Sequence, residues 1–239
     1  SYKSILKITS NFLRCNQLSL LSLDRYVLKK LLKYLTNDRG YAVKTLENYF
    51  SVISTFCDYL AYEELIDKNP ILPFRKRYIR QYKADRHNTD PRRKLISVEQ
   101  MRMLINSILD PRDKAIVTLL AKTGIRRKEL INIDVDDINW AEQSIQLKPH
   151  PKRSNLLVFF DDECARVLRR WLNARKNYNV PPDCKALFVG ERGERLERHG
   201  VYRVVTKCAE RVGLYDPKSK RMEDHFTPHC CRHWFTTHL

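Results

Sequence analysis

What this sequence has little of narrows its class first. Six glycines and ten prolines in 239 residues leave no room for a collagen-like repeat or a Pro/Gly-rich low-complexity chain. No apolar run approaches the ~18–20 residues that a membrane-spanning helix needs. The opening residues show no charged segment leading into an apolar stretch and a small-residue cleavage site, the pattern of a secretory signal. The seven cysteines, Cys15, Cys57, Cys164, Cys184, Cys208, Cys230 and Cys231, are odd in number and irregularly spaced, with no CxxC pair. Neither a structural zinc site nor a disulfide framework is expected. His225, His229 and His233 recur at one-turn spacing, but no acidic or cysteine partner sits at ligand spacing, so no metal is expected there. A reducing, cytoplasmic setting is the expectation.

Acidic residues are scarce beside basic ones, 28 against 45, for a net charge of +17. With 43% hydrophobic and 31% charged residues the chain is globular rather than disordered, and its length fits one or two domains. A field of this sign attracts polyanions. A membrane-surface helix would concentrate the charge on one segment, and here it is spread: residues 1–92 carry a net +8 and residues 93–239 a net +9. Both halves are expected to face the same polyanion, with nucleic acid favoured over a membrane.

The apolar spacing predicts a mainly helical chain. Val27, Leu28, Leu31, Leu32 and Leu35 form one helical face, and Leu46, Tyr49, Phe50, Ile53, Phe56, Cys57 and Leu60 another, separated by the breaker Asn37–Gly40. The pair Asn69-Pro70 follows the second helix. Residues 1–74 therefore read as a small helical bundle. Residues 75–94, rich in Lys and Arg and poor in aliphatics, read as a basic linker able to lie along phosphates. A second domain, 95–239, opens on the capping box Ser97/Gln100, continues into a helix started by Asp110-Pro111 and stopped by Gly124. Two short strands follow at Ser144–Leu147 and Leu156–Phe160, joined by a basic loop. A helix capped by Asp161 and Asp162 comes next, then a helix near 199–212, and finally one opened by Thr227-Pro228. The expected fold class is mainly α with a small β-sheet, an N-terminal helical bundle plus an α+β domain.

Three basic spots lie at element edges in this second domain. The first is TGIRRKEL, Thr123–Leu130, with Arg126 and Arg127 directly after a helix stop. The second is the hairpin loop with Lys148, Lys152 and Arg153. The third is HCCRHW, His229–Trp234, where His229 and Arg232 share a helical face. Arginine carries a planar fork that matches phosphate oxygens. Two arginines, a lysine and a histidine around one phosphate can neutralise a transition state and move a proton. Each spot alone is ordinary surface chemistry; their order and shared setting make them informative together.

In that order they resemble the tyrosine recombinase (phage integrase) family, over nearly the whole chain. The family's first arginine box, TG-x-R-x-x-EL, is matched by Thr123, Gly124, Arg126, Glu129 and Leu130. Its second, a Thr-Pro-His-x-x-Arg-His run continuing to Thr-His-Leu, is matched by Thr227, Pro228, His229, Arg232, His233, Thr237, His238 and Leu239. The helical segment ending at Asn69-Pro70 looks like the family's SAM-like core-binding domain. The resemblance implies that Arg126 and Arg232 hold the non-bridging oxygens of a scissile DNA phosphate, and that His229 bonds that phosphate or transfers a proton. It implies that a hairpin lysine, Lys152 with Lys148 as the alternative, protonates the leaving 5′ oxygen. Glu129 and His233 would support the site from behind. Arg75, Lys76, Arg77, Arg92, Arg93, Arg127, Lys148 and Arg153 would contact DNA. It further implies double-stranded DNA as partner, a homotetramer on that DNA in the full-length protein, no metal and no cofactor, and a 3′-phosphotyrosine intermediate.

Two departures stand out. The family's nucleophilic tyrosine follows the second box, whereas all twelve tyrosines here precede it, Tyr215 being the last. No nucleophile is named. The expectation is a fragment that binds DNA without cleaving it, with activity in a longer parent or with a tyrosine donated in trans. The second is Cys230-Cys231, where the family often has a polar residue then leucine; both are compact and expected to pack. The alternative function is a non-catalytic DNA-binding homologue that occupies or regulates sites. An RNA-binding protein is a weaker alternative, since the aromatic β-sheet signature of RNA modules is missing.

Overall fold

A computed structural model describes residues 2–84, 94–149 and 154–238. The chain divides into two compact units, residues 1–90 and 91–239. Each is described by itself.

The N-terminal unit is helical: α1 (Tyr2–Cys15), α2 (Arg25–Lys33), α3 (Val43–Tyr62), α4 (Ile71–Phe74) and α5 (Arg80–Ala84). The two faces predicted from spacing form its core. Leu28, Leu31 and Leu35 from one side, and Leu46, Phe50, Ile53 and Cys57 from the other, are fully buried. Asp24 starts α2 by accepting from the Val27 N–H at 2.7 Å, the usual way a short carboxylate satisfies an orphan helix donor. α1 docks on α3 through a hydrogen bond between Thr9 Oγ1 and Tyr49 Oη, 2.8 Å. After α3 the Asn69 side chain ties the turn together. It donates to the Ser54 carbonyl (3.0 Å) and Asp58 (2.6 Å) and accepts from the Ile71 N–H (2.8 Å).

Residues 75–84 are helical where a basic linker over 75–94 was expected. Arg75–Ile79 forms a wide π-type helical turn that joins α4 to α5. The reason is apolar: Phe74 stacks on Phe50 with ring centres 5.4 Å apart, Ile79 is buried, and Tyr78 and Tyr82 pack on the same core. Lys76, Arg77 and Arg80 take the solvent side and Arg75 is half-buried. The basic composition masked an amphipathic helix. Arg92 and Arg93 lie outside the described residues.

In the C-terminal unit, α6 (Val98–Ser107) carries the expected Ser97/Gln100 capping box. α7 (Pro111–Thr123) is the central helix, with Ala115 through Leu120 almost wholly inaccessible. It packs against α9 (Asp162–Arg175) and α11 (Pro228–His238). A short α8 (Arg127–Ile131) follows it, then β1 (Ile138–Asn139), β2 (Ser144–Gln146) and β3 (Leu157–Phe159), an antiparallel sheet in that order with Ile145 opposite both Ile138 and Val158. Two of the strands match the predicted pair. β1 is only two residues long and leaves no alternation to read. α10 (Arg198–Arg211) precedes α11. Trp171 is fully buried and donates its indole N–H to the Leu187 carbonyl at 2.9 Å. Among the described residues no helix is long and apolar enough to cross a membrane.

Candidate active site

The first box begins at the end of α7. Gly124 adopts φ +58°, the left-handed conformation that ends a helix, and its N–H reaches back to the Leu120 carbonyl at 3.1 Å. A second constraint acts on the same glycine. A Cβ there would lie 2.5 Å from the ring of Phe235 on α11, so only glycine lets α11 come this close. The chain then turns so that Arg126 sits at the N-terminal boundary of α8 in extended conformation.

Glu129 fixes Arg126 from behind. One carboxylate oxygen accepts the Arg126 backbone N–H and the other accepts its guanidinium Nη1, each at 2.7 Å. The glutamate is buried, whereas 38% of the arginine side chain remains exposed. The carboxylate therefore faces the protein while part of the arginine side chain remains exposed. A charge-assisted pair of this kind restricts the rotamers of a long side chain.

The second box is brought to the first by α11. Arg232 donates Nη1 to the carbonyl oxygen of Gly124 at 2.5 Å. His229 is exposed one turn earlier, and its ring meets that of half-buried His233 edge-on, centres 4.8 Å apart. Thr236 and Thr237 both donate to the His233 carbonyl at 2.9 Å. Cys230 and Cys231 are buried beneath this face, as their size led one to expect; burial pushes the Cys231 thiol well up from its ordinary value. His225, by contrast, precedes the helix. Its Nε2 lies 2.9 Å from the Asp216 carbonyl oxygen and its ring lies tilted against Tyr215, centres 5.0 Å apart.

Lys148 lies just past β2 and is held by two carboxylates, Asp137 at 2.7 Å and Asp134 at 3.1 Å. The hydrogen bond that Lys148 donates to Asp137 leads in holding its pKa above the ordinary lysine value. For Asp134, burial opposes ionisation, but hydrogen bonds from Arg195 and Lys148 outweigh it and hold the carboxyl below its usual range. Lys152 and Arg153 lie outside the described residues.

Arg127 is exposed, with its guanidinium 5.6 Å from the centre of the Tyr202 ring. Between α8 and α10 it shares an open cleft of about 770 Å³ with Arg195, Arg198, His199 and Tyr202. Sequence reasoning gave these last four no role. A signal was present in the recurrence of Arg192, Arg195 and Arg198, three apart, running into the start of a helix.

The phage integrase family profile matches residues 94–239, and the phage integrase SAM-like domain profile matches residues 1–86. Tyrosine recombinase XerC of Herpetosiphon aurantiacus is 31% identical over 210 residues, covering 84% of this chain and 62% of that protein. Tyrosine recombinase XerD of Oceanobacillus iheyensis is 26% identical over 212 residues, covering 86% and 65%. The chain thus spans less than two thirds of the length of these relatives. Among solved structures, the Tn1549 transposon integrase in complex with transposon right end DNA superposes with a TM-score of 0.76 at 17% identity, covering 99% of this chain and 80% of that one. The XerH recombinase bound to palindromic difH substrate gives 0.66 at 20%, covering 92% and 62%. These likenesses show the fold, a mainly helical chain with one small antiparallel sheet.

Proposed function

The chain belongs to the phage integrase family of tyrosine recombinases, and from that premise we propose that it binds double-stranded DNA and activates a scissile phosphate for site-specific recombination. The observation that carries this reading is the junction at Gly124. The arginine of the second box bonds the carbonyl two residues before the arginine of the first. Two arginines far apart in sequence thereby meet at one backbone turn, which supports the reading that they hold two non-bridging oxygens of one phosphate.

In this reading a tyrosine hydroxyl attacks phosphorus. An O–P bond forms to the tyrosine as its hydroxyl proton passes to water or to His229, the bond to the 5′ oxygen breaks, and the leaving oxygen takes a proton from the hairpin lysine, Lys152 or else Lys148. The 3′-phosphotyrosine link keeps the bond energy for rejoining. Arg126 and Arg232 neutralise the pentavalent phosphorane, His229 bonds it or shuttles a proton, and Glu129 and His233 hold these groups in place. None of the twelve tyrosines, all of which precede the second box, is assigned the attack. Arg75, Lys76, Arg77, Arg92, Arg93, Arg127 and Arg153 are proposed to meet the DNA backbone, and the assembled recombinase is proposed to be a homotetramer on two duplexes.

The test is covalent capture on a nicked suicide duplex, using a form of the protein that carries a tyrosine after the second box. Arg126→Ala should abolish the protein–DNA adduct and leave most binding. Undiminished adduct would remove Arg126 from the site and favour the non-catalytic DNA-binding reading.

A further inference from the structure

Lys148 sits in a bracket whose construction goes beyond an ordinary ion pair. Asp137 and Asp134 are largely buried, at 14% and 19% exposure, whereas the lysine that covers them is 45% exposed. Each carboxylate has a second partner independent of the lysine. Asp137 Oδ2 accepts the Asp134 backbone N–H at 2.8 Å. Asp134 Oδ1 pairs with Arg195, whose Nη1 also donates to the Ile131 carbonyl at 2.7 Å. A buried carboxylate stripped of its only partner is costly; these two are not stripped when the lysine departs. The lysine is the exposed and replaceable member of a network that is otherwise closed.

The position of the network matters. Ile131 ends α8, the helix that starts beside Arg126, and Arg195 lines the cationic cleft that also contains Arg127. Lys148 is the first residue of the basic loop that leads out of β2. An anion bound at this face competes directly with Asp134 and Asp137 for the ammonium group.

We propose that Asp134 and Asp137 form a parking site for Lys148, which keeps the ammonium off the phosphate-binding face until DNA phosphate replaces the carboxylates. The inference rests on the reading of this face as a DNA site, and it adds the two aspartates as positioning residues for the hairpin. Release is a simple exchange of ionic partners: no covalent bond is made or broken, and both carboxylates keep their second partners.

The experiment uses the chain as it stands with duplex DNA of mixed sequence at low salt. Asp137→Asn retains an oxygen for the Asp134 N–H and weakens the hold on Lys148. It should raise duplex affinity about two- to five-fold, the factor that a surface ion pair of ordinary strength represents. The gain should vanish in a Lys148→Ala background. Asp136→Asn is the charge control, because Asp136 lies in the same turn but pairs at the surface with Lys185; its effect should be smaller and indifferent to Lys148. In parallel, the side-chain amine resonance of Lys148, assigned by its loss in Lys148→Arg, should shift when duplex is added. Equal gains for Asp136→Asn and Asp137→Asn, or a gain that persists without Lys148, would overturn the parking site. So would DNA binding with an unmoved Lys148 resonance, while leaving the DNA reading intact. Failure of the wild-type chain to bind duplex at all would overturn both.

Discussion

Arg232 donates to the carbonyl oxygen of Gly124, 108 residues before it in the chain. The bond depends on the close approach of α11 to the turn after α7, and that approach depends on a glycine that is both left-handed and in contact with Phe235. Gly124→Ala therefore meets two penalties. The left-handed backbone costs an alanine about 1–2 kcal/mol, and the Phe235 clash adds about 1–3 kcal/mol unless α11 shifts. The expected result in thermal denaturation is a loss of stability of that combined order. Gly124→Ala with Phe235→Ala should recover the clash component but not the backbone component. A Gly124→Ala protein as stable as wild type would show that α11 does not rest on this turn.

Glu129 offers a sharper separation of structure from catalysis. Its two oxygens serve two different donors of Arg126. Glutamine keeps one acceptor and turns an amine toward the other donor. The expected cost to folding is about 1–3 kcal/mol for a buried donor left without its partner, toward the lower end because the Arg126 side chain is 38% exposed and water replaces part of the loss. In the covalent-capture assay Glu129→Gln should slow adduct formation while DNA affinity stays near wild type. Glu129→Asp, one methylene shorter, should not restore both bonds. A proportional fall in affinity and rate would mean that Glu129 acts only on the fold.

The two arginine boxes were legible because each is a local pattern tied to a helix boundary, and the capping residues Ser97, Asp110, Gly124 and Asp161 placed those boundaries closely. The core faces of α2 and α3 were legible for the same reason, since burial repeats with the helical period. The helix over 75–84 was hidden: its apolar side consists of Phe74, Tyr78, Ile79 and Tyr82, two of them tyrosines, among five Lys or Arg. The meeting of Arg127 with Tyr202 beside α8 was also out of reach, because it arises only through tertiary packing. The second partner of Asp134 is Arg195, 61 residues away, a relationship no local spacing encodes, whereas that of Asp137 is the Asp134 backbone N–H three residues before it.

Tyr49 predicts how stability of the N-terminal unit changes in alkali. Burial pushes its hydroxyl up from an ordinary 10.0 to about 12, and the hydrogen bond with Thr9 offsets only part of that rise. A pKa raised on folding means the native state favours the protonated phenol. This contribution is intact below about pH 10 and is lost as pH climbs through about 12. Unfolding by denaturant at increasing pH should show a decline across that window. Tyr49→Phe should flatten it while costing about 1 kcal/mol at neutral pH for the lost Thr9 bond. An identical pH slope in wild type and variant would remove Tyr49 as its source.

The salt dependence of DNA binding tests the cleft beside α8 at the level of one side chain. Affinity should fall steeply with salt, because each neutralised phosphate releases counterions and contributes about −0.9 to the slope of log K against log salt on duplex DNA. Arg127 is exposed and its guanidinium lies against Tyr202, so the fork is partly ordered before any ligand arrives. Arg127→Ala should weaken binding and reduce the slope by about one. Arg127→Lys keeps the charge but loses the planar fork, so it should weaken binding with the slope unchanged. Tyr202→Leu removes the aromatic face and leaves every charge in place; it should lower affinity modestly at all salt concentrations by loosening the arginine. If Arg127→Ala leaves the slope at its wild-type value, Arg127 does not meet a phosphate, and its contact with Tyr202 serves only to pack α8 against α10.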